Sequence, residues 1–251
     1  MLVTASAALP HCATRTTHPV ARWLLGLLAL TLLWDTSGAD LAVMRWLGTA
    51  SGFPLRDVWF LERVLHDAWR QLFVGFYGLM WVWALWPSRW NASRLVAMNL
   101  PRRERVVLVL LVTLSLLVVN LVKNASQTSC PWDLQLFGGS ARYVSHWRLW
   151  QGSDGGTGRC FPGGHASSAF AFLGLCLPWL VPPAGTHRAA ATGQRWLVGL
   201  LLAGLTAGAV QTVRGAHYPS HTLWTLLMCA GVSWAGWRLA LPRLAQKSPT
   251  V

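Results

Sequence analysis

Charge is what this chain has least of. Asp, Glu, Lys and Arg together make up 12% of its 251 residues, and only eight residues are acidic. Soluble domains carry about twice that share of charge, so a fully solvated surface is excluded. Lysine is nearly absent, with two against 19 arginines, a bias that fits a GC-rich bacterial gene. The chain has no internal repeat, no second domain and no H-E-x-x-H pair of zinc ligands. A net charge of +13 would suggest nucleic acid in a soluble protein. Here it has another explanation, because the hydrophobic residues, 53% of the total, are gathered into blocks.

Those blocks run over 23–34, 72–86, 106–122, 166–181, 196–213 and 223–237. About 20 mostly apolar residues cross a bilayer, and most of the blocks come close to that length with their flanks. The first needs Val20, Ala21 and 36–39 to reach it. Its end, Ser37-Gly38-Ala39, also resembles a signal-peptide cleavage site, although Asp35 is misplaced for one and no basic cluster starts the chain. The reading is an all-α polytopic membrane bundle of about six transmembrane helices. One domain spans 20–241, with a poorly ordered 1–19 segment and a 242–251 tail. One side of the bundle receives twelve Lys/Arg and a single acidic residue, Glu104; the other receives nine Lys/Arg and seven Asp/Glu. The positive-inside rule then puts both termini in the cytoplasm. Loops 38–70, 123–165 and 214–221 face the periplasm or exterior of a bacterial inner membrane. Trp81, Trp83, Trp86, Trp234 and Trp237 suit an interfacial belt.

This topology carries three polar clusters to one face: "VKNASQTSCPWD" (122–133), "GRCFPGGHASS" (158–168) and "VRGAHYPSH" (213–221). Gly163 and Gly164 let backbone N–H groups approach a ligand, and a helix opening near His165 would add its positive end, together an anion site. Pro219 fits the first position of a helix. His217 then precedes that helix, and His221 lies in its first turn, where the helix start disfavours a proton. Arg214 offers a fork for two phosphate oxygens. Taken singly, Lys123 reads as a snorkelling lysine, and Arg159 and Asp133 as ordinary loop charges. Cys130 and Cys160 fall in an outward loop, where disulfides are permitted; they pair there or remain two free thiols. Cys176 and Cys229 lie within spans and read as small core residues.

Together the clusters resemble the type-2 phosphatidic acid phosphatase superfamily, membrane lipid phosphatases related to vanadium haloperoxidases. Lys123, six residues, then Cys130-Pro131 is similar to that family's first motif with an arginine replaced. Pro162-Gly163-Gly164-His165 is similar to its second, with glycine for serine. His217 and His221 are similar to its third, with histidine for aspartate, and Gln211 stands where that motif has arginine. The resemblance implies a six-helix bundle without metal or other cofactor, acting on a phosphorylated membrane lipid in the bilayer. It implies His217 as nucleophile and His165 as the acid that protonates the leaving group. Lys123, Arg159, Arg214, Gly163 and Gly164 would hold the phosphate, with Arg142 a weaker candidate. His221 or Asp133 would orient His217. Three other readings stay open: a phosphotransferase with the same intermediate, a zinc enzyme using His165, His217 and His221, and a non-catalytic member of the fold.

Overall fold

The computed structural model describes residues 19–87, 100–147 and 152–245. Arg15, Arg89, Arg94, Arg148 and Lys247, five of the charges behind the expected topology, lie outside them, as do most of the 1–19 segment and the end of the 242–251 tail. Seven helices are present and no strand occurs among the described residues. We number them α1 (Pro19–Thr36), α2 (Ala39–Leu47), α3 (Trp69–Leu85), α4 (Arg102–Ala125), α5 (Ser167–Leu180), α6 (Ala190–Val213) and α7 (Pro219–Ala245). The 3-10 stretch Ala171–Cys176 forms the middle of α5, and a π-helical turn, Phe60–Ala68, leads directly into α3.

Each of the six apolar blocks became a helix. α2 is additional, formed within what reads as an outer loop. Gly38, at φ 76°, makes the 64° bend between α1 and α2. By length and composition, α4 and α6 can each cross a membrane, and α1 with α2 makes a third span if the bent pair counts as one. α3, with 17 residues, and α5 are shorter. α7 is long, but it buries Ser220, His221, Thr222, Thr225 and Ser233.

α5 is the centre of the bundle, buried almost throughout and packed by α4, α6 and α7. In lipid, helices associate through close packing rather than the hydrophobic effect, which favours small residues at crossings. A Cβ on Gly204 of α6 would stand 2.1 Å from the Phe170 ring, one on Gly208 2.4 Å from Thr222, and one on Gly236 of α7 2.3 Å from Leu111.

Polar bonds tie one end of the bundle. Arg188 donates to both carboxylate oxygens of Glu104, at 2.5 and 2.7 Å. Arg105, fully buried, donates to the carbonyls of Trp83 and Trp86 at the end of α3. The Trp237 indole donates to the Val181 carbonyl at 2.8 Å. At the other end a second, smaller core of Met44, Phe53, Leu134, Phe137, Ala141 and Tyr218 packs the connecting segments into a cap.

Candidate active site

Under that cap α4 and α6 end, and α5 and α7 begin. The backbone stitches the three polar clusters together. Arg159 N–H donates to Ser126 O (2.9 Å), Cys160 N–H to Thr128 O (2.9 Å), Trp132 N–H to Gly215 O (3.0 Å) and Gly163 N–H to His221 O (3.2 Å). Cys130 and Cys160 form a disulfide with Cα atoms 5.1 Å apart. The buried Asp154 carboxylate accepts from both the N–H and the hydroxyl of Ser129, each at 2.7 Å.

The last turn of α6 positions His217. Ala216 N–H reaches the Gln211 carbonyl (2.8 Å) and Gly215 N–H reaches that of Thr212 (3.0 Å), the double bond of a Schellman cap. The cap requires a left-handed residue, and Gly215 has φ 77°. A Cβ there would also stand 2.3 Å from the Phe53 ring. α7 then starts at Pro219, as expected, and the Asp40 carboxylate caps it by accepting from the Ser220 N–H (3.0 Å) and hydroxyl.

These elements enclose a cavity of about 520 Å³. Its polar wall contains Lys123, Gly164, His165, His217, Gln211, Ser168, His66, Arg70 and Asn120; its apolar wall contains Phe73, Val74, Tyr77, Leu116 and Phe172. The Lys123 side chain lies along Gly164, whose added Cβ would meet Lys123 carbons at 3.4–3.5 Å. Ser168 Oγ and Gln211 Nε2 are buried and find no partner among the described residues. Buried polar atoms are rarely left unpaired, so two groups on this wall carry hydrogen-bonding capacity that the described residues do not use.

His165 and His217 are each held at one ring nitrogen. His165 Nε2 lies 3.1 Å from the Leu65 carbonyl in the π-helical turn. A carbonyl only accepts, so this nitrogen carries the proton. His217 Nδ1 lies 3.4 Å from Cys160 Sγ, and its Nε2 has no partner among the described residues. Burial pushes the His217 pKa down to about 3, helped by the charge of Lys123. Burial likewise lowers His165 to about 4, with further contributions from His66, Arg214 and Arg70. Both rings are therefore neutral near pH 7.

Several expected contributors are placed elsewhere. The Gly163 N–H is spent on the His221 carbonyl, so only Gly164 of the glycine pair lines the cavity. Arg159 is exposed, in a left-handed conformation at φ 58°, and lies outside the lining. Arg214 is buried but donates from Nε to the Arg56 carbonyl (2.8 Å), also outside the lining. The exposed Arg142 gives its N–H to the Asp154 carbonyl. Neither expected partner of His217 bonds to it. Asp133 accepts from Thr157 Oγ1 (3.3 Å). His221 is fully buried with both ring nitrogens unpartnered, its centroid 5.7 Å from that of His217. Among the described residues the group with metal-ligand spacing is Cys130, Cys160 and His217, not His165, His217 and His221.

His66 and Arg70 were not foreseen. Their four-residue spacing at the entrance to an apolar helix was the available signal, since it stacks them on one face. The His66 and His165 rings sit 4.6 Å apart. A family model described as the PAP2 superfamily matches residues 104–244, more than half of the chain. No curated protein and no solved structure matches.

Proposed function

The chain belongs to the PAP2 superfamily, whose members are generally phosphatases, and on that premise we propose that it hydrolyses a phosphomonoester or diphosphate on a lipid headgroup through a phosphohistidine at His217. One observation carries this reading: a single cavity joins a cationic, hydrogen-bonding wall to an apolar one. A lipid phosphate needs both, with its charged head against Lys123, Arg70, Gln211, Ser168 and Gly164, and its first methylenes along Phe73, Tyr77 and Leu116. The bundle's apolar helices support a bilayer setting.

The unpartnered Nε2 of His217 attacks phosphorus as the bond to the leaving oxygen breaks. Lys123, Arg70 and the neutral donors stabilise the charge spread over the phosphoryl oxygens. His165 gives a proton to the leaving oxygen. Burial lowers its proton affinity, and a phosphate dianion beside it favours the charged ring. Water then attacks the P–N bond, His165 takes a proton from that water, and inorganic phosphate leaves. Arg70 and Gln211 take the place of the arginines expected from the family pattern. The arginine distribution supports a site at the outer membrane face, with six helices crossing and both termini cytoplasmic.

The test is a panel of phosphatidic acid, phosphatidylglycerophosphate, a polyprenyl diphosphate and lipid A, assayed for phosphate release by the purified protein in detergent. At least one is hydrolysed without added metal. Phosphate transfer that requires an added acceptor identifies a phosphotransferase, and no turnover on any member overturns the reading.

A further inference from the structure

The disulfide lies against the ring assigned as nucleophile. Cys160 Sγ is 3.4 Å from His217 Nδ1, and the donor atoms of Cys130, Cys160 and His217 all lie within 4.8 Å of one another. Two thiolates and an imidazole are a soft donor set that suits zinc. Zinc bonds of about 2.3 Å to sulfur and about 2.0 Å to nitrogen place tetrahedral donors roughly 3.5–3.8 Å apart. The His217–Cys160 pair is already near that spacing; the two sulfurs must separate, and Cys130 must settle at the same spacing from His217 Nδ1. Cys130 lines the cavity while Cys160 is fully buried, so a reductant entering the cavity meets Cys130 first.

We propose that, once the Cys130–Cys160 bridge is reduced, Cys130, Cys160 and Nδ1 of His217 form a zinc site that switches the phosphatase off. An incoming dithiol's thiolate attacks Cys130 Sγ, the S–S bond breaks and Cys160 leaves as thiolate. The second thiol of the reductant then displaces Cys130, so the reductant is oxidised to its own disulfide and the protein gains two thiols. Zinc binding releases their protons. The effect on catalysis rests on His217 being the nucleophile. A neutral imidazole coordinated through Nδ1 carries its proton on Nε2, and the lone pair that attacks phosphorus is gone. The described residues supply three ligands, which leaves the fourth coordination position to another donor.

Purified full-length protein in detergent is reduced with a phosphine, freed of excess reductant and titrated with Co2+ and Zn2+. The expected result is a thiolate-to-cobalt charge-transfer band that saturates stoichiometrically and is displaced by Zn2+, with none in the oxidised protein. Phosphate release falls to background with stoichiometric zinc and returns on chelation. The Cys130→Ser/Cys160→Ser variant shows neither the band nor any response of its activity to reductant and zinc. His217→Ala, which retains the bridge, shows weakened cobalt binding after reduction. The spectroscopic arm needs no turnover, so it separates this proposal from the function assigned above. Reduced protein that gives no charge-transfer band overturns the site; this is the result expected if the freed Cys160 thiol simply donates to the Ala216 carbonyl, 3.1 Å from its sulfur. Stoichiometric cobalt or zinc binding with undiminished phosphate release overturns the switch.

Discussion

At the scale of single residues, the site depends on neutral groups kept out of water and on cations placed beside them. Arg70 and Gln211 face the cavity from α3 and α6, and both bind phosphate in the proposed mechanism. A hydrogen bond to a charged group contributes about 1.5–3 kcal/mol. Arg70→Ala and Gln211→Ala should therefore each lower kcat/KM by roughly 10- to 100-fold, while Arg159→Ala, at an exposed position outside the lining, should leave it nearly unchanged. Steady-state kinetics on the best lipid of the panel checks this.

His165 and His217 also make stability depend on pH. In the unfolded chain they titrate near about 6.5; folded, they stay neutral down to about 3 for His217 and about 4 for His165. Between those limits the unfolded state binds more protons. Their contribution therefore makes unfolding easier as pH falls from about 6.5 toward about 4, and is flat above that window. The thermal midpoint in detergent should drop over this range, and less steeply in the His165→Ala/His217→Ala variant. Equal slopes in the two proteins would show that the rings are not held neutral.

At the scale of elements, small residues let α6 approach its neighbours. Gly204→Val should overpack against Phe170, and overpacking costs about 1–3 kcal/mol, read as a lower thermal midpoint. Gly199→Val is the control, since nothing lies within 4 Å of an added Cβ there. Six of the seven helices were legible because each forms on an unbroken apolar block. So was the start of α7, which Pro219 announces. α2 was not, because nine residues after a glycine bend resemble a loop in sequence. The cluster at the ends of α4 to α7 was legible through motif spacing, and the Cys130–Cys160 bridge was one of two outcomes that its place in an outward loop allowed. Partners were harder to foresee. Nothing local in "FPGG" shows that the Gly163 N–H will be taken by the His221 carbonyl 58 residues later, or that Arg214 will turn toward Arg56. His66 and Arg70 precede the segment matched by the family model, so no motif pointed to them.

At the scale of the whole molecule, the mechanism requires one face of the membrane to hold the cavity. A reporter fused after Val251 should read cytoplasmic, and a tag in the 140–158 segment should be reachable from outside intact cells. The reverse result would place the site on the inner face. The account as a whole turns on whether phosphate passes through His217. The most direct measurement incubates purified protein with lipid labelled in its terminal phosphate and quenches in alkali, where phosphohistidine survives. Wild-type protein should carry an alkali-stable, acid-labile label that chases into inorganic phosphate. His217→Ala, still folded by its thermal midpoint, should carry no label and release no phosphate. Phosphate release by His217→Ala at a rate close to wild type would contradict the account.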